Sequence, residues 1–105
     1  MLWQAQRRIK TPYTVFLHFV DANGRIVTQI DREPLLPTPS WPISTTIDDP
    51  YTLAIPLNAA PGTYQLLVGL YPTGDPTHRV PVVDVGKTSA DNNDRILIKE
   101  IIVQP

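Results

Sequence analysis

The fold of this chain is decided by one stretch, Pro61-Gly62-Thr63-Tyr64-Gln65-Leu66-Leu67-Val68-Gly69-Leu70-Tyr71. Pro61 and Gly62 supply the fixed and the permissive backbone angles of a tight turn. Apolar side chains then recur at every second residue from Tyr64 to Leu70, which is the period of a β-strand. A tyrosine just after a Pro-Gly turn also suits a tyrosine corner, in which the ring packs under a β-sandwich and the hydroxyl caps a loop carbonyl. The stretch therefore predicts a sandwich strand that begins at a turn.

A β-hairpin is predicted nearer the N-terminus. Residues 13–21 form its first strand, Asn23-Gly24 its two-residue turn and residues 25–31 its return strand, which pairs Val20 with Val27. One face then collects apolar side chains, namely those of Tyr13, Val15, Leu17, Phe19, Ile26 and Ile30. The other face carries the polar side chains of Thr14, His18, Gln29 and Asp31. Because Phe16, Val20 and Val27 also lie on this second face, we expect another element to cover part of it.

The rest of the chain shows short strands separated by turn signals. Residues 33–42 contain four prolines, which prevent ladder pairing, and predict an extended surface loop that crosses between sheets. The other predicted strands are residues 2–5, 43–47, 51–57, 79–85 and 95–103, with a polar loop over residues 86–94. The predicted core is Val15, Leu17, Phe19, Ile26, Ile30, Leu53, Ile55, Tyr64, Leu66, Val68 and Leu70. This pattern predicts an all-β, immunoglobulin-like antiparallel β-sandwich. Since residue 2 already lies in a strand, we expect the sandwich to lack its first strands.

Composition narrows the function classes. The 105 residues are enough for a single domain over residues 1–105, which we expect to be the C-terminal part of a larger protein. Nine basic and ten acidic side chains give a net charge of -1 without a long run of either sign, which argues against nucleic-acid binding. The chain has no cysteine, and its apolar runs fall far short of the roughly 20 residues needed to cross a bilayer. No motif implies a cofactor.

The sequence contains few residues that could form a catalytic site. His18 is predicted in mid-strand on the more polar face and His78 on a loop tip, and surface histidines are the expected role of both. No serine lies in a strained elbow of the Gly-x-Ser-x-Gly type. Asp48 and Asp49 are adjacent, but the turn predicted there exposes both. We therefore expect that the domain is not an enzyme.

A calcium site is a weak alternative in the acidic loop. Asp91, Asn93 and Asp94, with Asp84 nearby, could offer oxygen ligands to the ion. The same residue types favour turns through bonds to their own backbone, and the spacing fits no calcium motif. Turn formation is therefore the preferred interpretation, and no metal is predicted.

Aromatic side chains offer the best candidate for ligand binding. Trp41 leaves a proline-stiffened loop, and together with Tyr71 and Trp3 it could form a flat platform that stacks on sugar rings. The alternative for Trp41 is a core plug. Solvent exposure separates the two hypotheses, because a ring that is more than about nine-tenths buried cannot act as a platform.

The chain also carries a combination of segments that resembles a known group. These segments are Leu2-Trp3-Gln4-Ala5, residues 13–22 with Gly24-Arg25-Ile26-Val27, Pro37-Thr38, Ser40-Trp41, Tyr51-Thr52-Leu53, Pro61-Gly62-Thr63-Tyr64 and Gly69-Leu70-Tyr71. Together they resemble the C-terminal extracytoplasmic β-sandwich domains of bacterial glycosyltransferase-like, mannosyltransferase-type multi-spanning membrane proteins. The chain departs from that group in its proline-rich residues 34–42 and in the tip at residues 72–78. The resemblance implies a location and a role as an appendage, and it implies no reaction.

Two function hypotheses follow from the sequence. The first is a non-catalytic accessory or interaction module of a larger, membrane-anchored bacterial protein, located outside the cytoplasm, with other domains of that protein as partners. The alternative is a carbohydrate-binding module that uses Trp41 and Tyr71 to hold a glycan. An open sheet edge would also predict an edge-strand dimer.

Overall fold

The computed structural model describes residues 1–82, 89–90 and 93–104, for residues 89–90 as backbone only. Within these ranges the chain is all-β. The strands are β1 (Leu2–Gln4), β2 (Tyr13–Val20), β3 (Ile26–Arg32), β4 (Thr46–Asp48), β5 (Gly62–Pro72), β6 (Ser89–Ala90) and β7 (Ile96–Val103). A single 3₁₀ turn covers Thr38–Ser40. No helix over these ranges is long and apolar enough to cross a membrane.

The strands form two antiparallel sheets that pack together as a β-sandwich. The larger sheet has the order β3-β2-β5-β7-β6, and the smaller sheet consists of β1 and β4. The long strands β2 and β5 lie side by side in the middle of the larger sheet, where Leu17 pairs with Val68 and Val15 with Leu70. This arrangement confirms the predicted all-β sandwich.

The core lies between the two sheets, under the middle of β2. Val15, Leu17 and Val68 are buried there, and Trp3 of β1 packs against them. These side chains share one face because residues two apart in a strand point the same way. We call this side of the larger sheet its inner face.

The tyrosine corner predicted at the start of β5 is confirmed. The Tyr64 hydroxyl donates a 2.6 Å hydrogen bond to the carbonyl oxygen of Ala60, in the loop before the strand. The buried ring stacks on Phe19 with 4.7 Å between ring centroids and an interplanar angle of 7°. One side chain thus fixes the turn to the inner face of the sheet.

The hairpin register is confirmed over most of its length, but its turn differs from the prediction. Asp21 and Arg25 pair through a backbone hydrogen bond of 2.9 Å, so the loop has three residues, and Gly24 has a φ of +79°. The Asp21 carboxylate also accepts hydrogen bonds from the backbone N–H groups of Asn23 and Arg25. Three residues between the strands make Val20 pair with Ile26, not with Val27.

A β-bulge then restores the predicted register from Phe19, which pairs with Thr28. The changed pairing also moves one residue out of the predicted core. Ile26 lies opposite Val20, away from the inner face, and is 45% exposed. Its assignment to the core was wrong because a two-residue turn had been assumed.

Residues 51–57 do not form the predicted strand. Pro50 and Pro56 bracket the segment, and the smaller sheet ends at Asp48, so no described strand pairs with it. Ile55 is exposed, which contradicts its assignment to the core, whereas Leu53 remains half-buried. The strand predicted at residues 43–47 is displaced to β4, because Ser44 adopts a φ of +60° outside the β region.

The outer face of the larger sheet is also covered, as Phe16 led us to expect. The Phe16 ring is buried, and a Cβ added at Gly69 on the neighbouring strand would collide with it. The Arg79 guanidinium lies 4.7 Å above the same ring. The Arg79 side chain therefore covers part of this face, and a backbone hydrogen bond from the Val80 N–H to the Leu70 carbonyl oxygen holds the segment after β5 beside that strand.

The C-terminal third of the chain matches its prediction in part. β7 confirms the strand predicted at residues 95–103. Residues 79–82 are not a strand, and the rest of the strand predicted there, residues 83–85, lies outside the described residues. β6 lies in the segment predicted as a polar loop, where it pairs with the beginning of β7.

Candidate functional site

Trp41 is not the exposed platform that the sequence allowed. Its side chain is only 6% exposed, and its indole Nε1 donates a 2.7 Å hydrogen bond to the carbonyl oxygen of Leu36. The ring packs against Trp3 with 6.1 Å between ring centroids. This tryptophan is a core plug that joins the proline-rich loop to β1, so the hypothesis that its face stacks on a sugar is wrong.

Tyr71 lies on the other side of the larger sheet. It pairs with Thr14, which places it on the outer face, and its half-buried ring stacks on Phe16 at 6.1 Å. Its hydroxyl donates a 2.9 Å hydrogen bond to Asp31 Oδ2. Burial and this hydrogen bond raise the pKa of Tyr71. Tyr71 and Trp41 are therefore separated by the sheet and cannot form one surface.

The structure places the weak calcium candidates in structural roles where it describes them. Asp94 Oδ1 accepts a hydrogen bond from the Val82 backbone N–H, and the Asn93 carbonyl oxygen accepts one from Arg79. Asp91 and Asp84 lie outside the described residues. Over the part of the chain that is described, no group of three His, Asp or Glu side chains could hold a metal ion.

The two histidines have different environments. His78 is exposed, as predicted, and its Nδ1 lies 2.7 Å from Asp75 Oδ2, a hydrogen bond that raises the histidine pKa. His18 is buried, which contradicts the surface position predicted for it. Its Nδ1 lies 3.1 Å from Arg95 Nη1. Since a guanidinium can only donate, this nitrogen of His18 is the acceptor.

Sequence reasoning missed a buried polar cluster around Asp49. The turn was expected to expose this carboxylate, yet it is 0% exposed. Its Oδ1 accepts hydrogen bonds from Arg32 Nη1 at 3.2 Å and from the Leu35 backbone N–H at 3.0 Å. The Arg32 guanidinium also lies 3.7 Å from the centre of the Tyr51 ring. The cluster ties the end of β3 to the segment after β4.

The protonation of this cluster follows from its contacts. Burial by itself would raise the pKa of Asp49, but the Leu35 N–H, the Tyr51 hydroxyl and the Arg32 guanidinium outweigh burial and hold that pKa below its usual value. Burial and the neighbouring Asp49 carboxylate raise the pKa of Tyr51. Asp49 is therefore a buried, charged and structural residue at neutral pH.

An apolar groove of about 770 Å³ lies between the two sheets. We call it the inter-sheet groove. Its floor is the inner face of β2 and β5. One wall is β1 of the smaller sheet, the other is β7, the next strand of the larger sheet, and Tyr51, Leu53 and Ile55 also line the groove. The lining is almost entirely apolar and includes Leu2, Trp3, Leu17, Phe19, Leu53, Leu66, Ile96, Ile98 and Ile101.

The groove exists because the smaller sheet is too narrow to cover the larger one. β1 and β4 have three residues each, whereas β5 has eleven and β7 has eight. Ile98, the extra residue of a bulge in β7, is consequently 44% exposed. Apolar surface of this kind is a common feature of interaction sites.

Among the described strands, one edge of β1 has no partner, and we call it the free edge of β1. Met1 and Asp49 exchange two backbone hydrogen bonds, of 2.7 and 3.0 Å, so the next residue, Leu2, directs its N–H and C=O away from β4. Gln4, two residues further, does the same. Among the strands that the structure describes, β4 is the only neighbour of β1. An open row of backbone donors and acceptors therefore borders the groove.

One charged side chain lies in the groove lining. Trp3 also lines the groove, but its Nε1, which has no hydrogen-bond acceptor within the described ranges, is buried and closed to a ligand. Lys99, which pairs with Leu66 and so lies on the inner face, is exposed, and no described carboxylate is within ion-pair distance of it. The groove thus combines apolar surface with one positively charged side chain.

Comparisons with protein families, with characterised proteins and with solved structures gave no match for this chain. The function must therefore be argued from the geometry of the groove and from the sequence.

Proposed function

We propose that this chain is a non-catalytic interaction module of a larger, membrane-anchored bacterial protein and lies outside the cytoplasm. The observation that carries the proposal is the inter-sheet groove, an open apolar surface bordered by the free edge of β1. The sequence resemblance to extracytoplasmic sandwich domains supports the setting. The partners are other domains of the parent protein.

Catalysis has little support in the groove. Its lining carries Lys99 and Tyr51 as the titratable side chains, and the Tyr51 hydroxyl is buried beside Asp49. General acid–base catalysis needs a group whose pKa is near neutrality and whose proton can reach a substrate. Burial raises the pKa of Tyr51 away from neutrality, so this side chain does not meet the requirement.

The alternative function, carbohydrate binding, loses its proposed platform because Trp41 is buried and Tyr71 lies on the outer face. The remaining groove surface is mostly aliphatic. Sugar stacking favours flat aromatic faces. The interaction module is therefore the better-supported function.

The interaction can be tested in the producing cell with a photo-crosslinking amino acid. Ile98 in the groove and Ile26 on the hairpin are matched positions, because their side chains are 44% and 45% exposed. We expect position 98, and not position 26, to give a crosslinked adduct with a segment of the parent protein. Equal adducts at both positions, or none at either, would contradict the proposal.

The location can be tested separately, since the chain has no cysteine. An Arg25→Cys variant places one thiol on the exposed hairpin turn. We expect a membrane-impermeant maleimide to label this thiol in spheroplasts, whose cytoplasmic membrane is still intact. Labelling only after the cytoplasmic membrane is lysed would place the domain inside the cell and overturn this part of the proposal.

A further inference from the structure

We infer that the inter-sheet groove binds an extended polypeptide segment, which pairs as a new strand with the free edge of β1. This inference rests on the proposed function and adds the kind of partner and the mode of binding. The partner is a single strand that carries apolar side chains at alternate positions and an acidic side chain opposite Lys99.

The free edge of β1 favours a polypeptide over other apolar ligands. Leu2 and Gln4 each present one backbone donor and one backbone acceptor in the plane of the smaller sheet. A strand offers the matching groups at the same repeat, as in β-augmentation. An acyl chain or another purely apolar ligand would leave these groups unpaired.

The groove determines which side chains the strand carries. Its floor and the wall formed by β7 are apolar, so side chains that point inward are expected to be apolar. Because residues of a strand alternate between two faces, every second residue points into the groove. Among the described lining residues, Lys99 is the one with a charged side chain, which favours one acidic side chain at the matching position.

A second copy of this chain fits the site less well. The β1 strand of a second copy already packs on its own core, since Trp3 contacts Val15, Leu17 and Val68. It would have to cover the β7 wall of another copy at the same time. A strand with no sheet of its own beneath it has no such conflict, so we assign the groove to a separate segment.

The test uses random displayed peptides of about ten residues, a length at the upper end of ordinary strands. They are selected on the 105-residue chain and counter-selected on an Ile98→Asp variant. We expect the enriched peptides to share alternating apolar residues and one Asp or Glu. No enrichment, or enrichment without alternation, would overturn the inference.

The mode of binding is tested with the best peptide. Gln4→Pro removes one backbone donor from the free edge, and proline is tolerated at such positions, so we expect the affinity to fall about tenfold. Gln4→Ala keeps the donor and should bind like the unchanged chain. Lys99→Glu should weaken binding about fivefold, and it should restore binding of a peptide whose acidic residue is replaced by Lys.

A second measurement uses the unchanged protein, so its result does not depend on whether Gln4→Pro folds correctly. N-methylation of the peptide nitrogens that face β1 should abolish binding, and N-methylation of the nitrogens that face away should not. Equal effects of the two peptides would overturn strand pairing. If the position 98 adduct persists in that case, the groove is still an interaction site and only the strand mechanism is wrong.

The remaining possible outcome is that two copies of the chain pair through the free edge of β1. Sedimentation that shows a concentration-dependent dimer, lost in Gln4→Pro and retained in Gln4→Ala, would assign the edge to a second copy and overturn the inference. We expect a monomer without peptide.

Discussion

The two halves of the space between the sheets differ in how completely they are covered. In the closed half, Val15 of β2 is buried beneath Trp3, which packs on Trp41 of the proline-rich loop. In the open half, the β7 wall leaves Ile98 44% exposed above the inter-sheet groove. Both halves belong to the same sheet and both are apolar.

The difference shows that an apolar strand face does not by itself specify burial. A face is buried only where a second layer reaches it, and here the second layer is two strands of three residues each plus the loop that carries Trp41. The closed half is expected to supply most of the stability. The open half is expected to contribute little to stability and is free for a partner.

The largest effect is expected for Trp41→Ala in the closed half. Loss of the buried ring and of its hydrogen bond to Leu36 should lower the free energy of unfolding by about 3–5 kcal/mol. Denaturant titration measures this value. Ile98→Ala in the open half is the comparison and should cost less than about 1 kcal/mol. Similar losses for the two variants would remove the distinction between the halves.

Asp49→Asn should come next, at about 2–3 kcal/mol, because the buried carboxylate accepts two hydrogen bonds and pairs with Arg32. The neighbouring Asp48→Asn is the matched control, since Asp48 is exposed. It should change stability by less than about 0.5 kcal/mol.

The Asp49 contribution should depend on pH with a defined sign. The folded-state pKa of Asp49 lies below its usual value of 3.8, so the unfolded chain binds the proton more readily. The stability difference between the unchanged chain and Asp49→Asn is then full at neutral pH and decreases as the pH falls below about 4. The part of the difference that depends on the Asp49 charge should be lost as the pH falls through the folded-state pKa. A difference that grows on acidification would contradict the assignment.

The outer face can be compared with both halves through Gly69→Ala. The added methyl group would collide with the Phe16 ring, and we expect a loss of about 2 kcal/mol. Phe16→Leu relieves the collision, so in that background the same substitution should cost clearly less. An equal cost in both backgrounds would mean that the cover over this face adapts easily.

A smaller loss, about 1–2 kcal/mol, is expected for Tyr64→Phe, because only the hydrogen bond to Ala60 is lost. Tyr71→Phe, which loses an exposed hydrogen bond to Asp31, should cost less than about 0.5 kcal/mol. An unchanged melting temperature for Tyr64→Phe would refute a stabilising role for the corner.

Local features of the fold could be predicted from the sequence. The Pro61-Gly62 turn and the alternation after it predict β5 and the Tyr64 hydrogen bond, since both depend on residues close together in the chain. The hairpin register was recovered from Phe19 onward for the same reason. The predicted two-residue turn was wrong because the Asp21 side chain stabilises a longer loop.

The site could be predicted much less well, because its features depend on residues far apart. The Asp-Asp-Pro pattern indicates a turn, yet Asp49 is buried by Arg32 and Leu35, 17 and 14 residues away. Trp41 could be a plug or a platform until its contact with Trp3 is known. The groove depends on the width of one sheet relative to the other, which no local pattern contains.

The most direct test of the groove as an interaction site places the photo-crosslinker at position 2, on the wall opposite Ile98, and adds a second substitution. Leu2 lines the groove and is exposed. We predict that Ile98→Asp reduces the adduct with the parent protein about tenfold without changing the melting temperature, because it places a charge in the apolar contact. Ile26→Asp, the matched substitution on the hairpin, should leave the adduct unchanged. An adduct that survives Ile98→Asp would contradict the assignment of the groove as the interaction site.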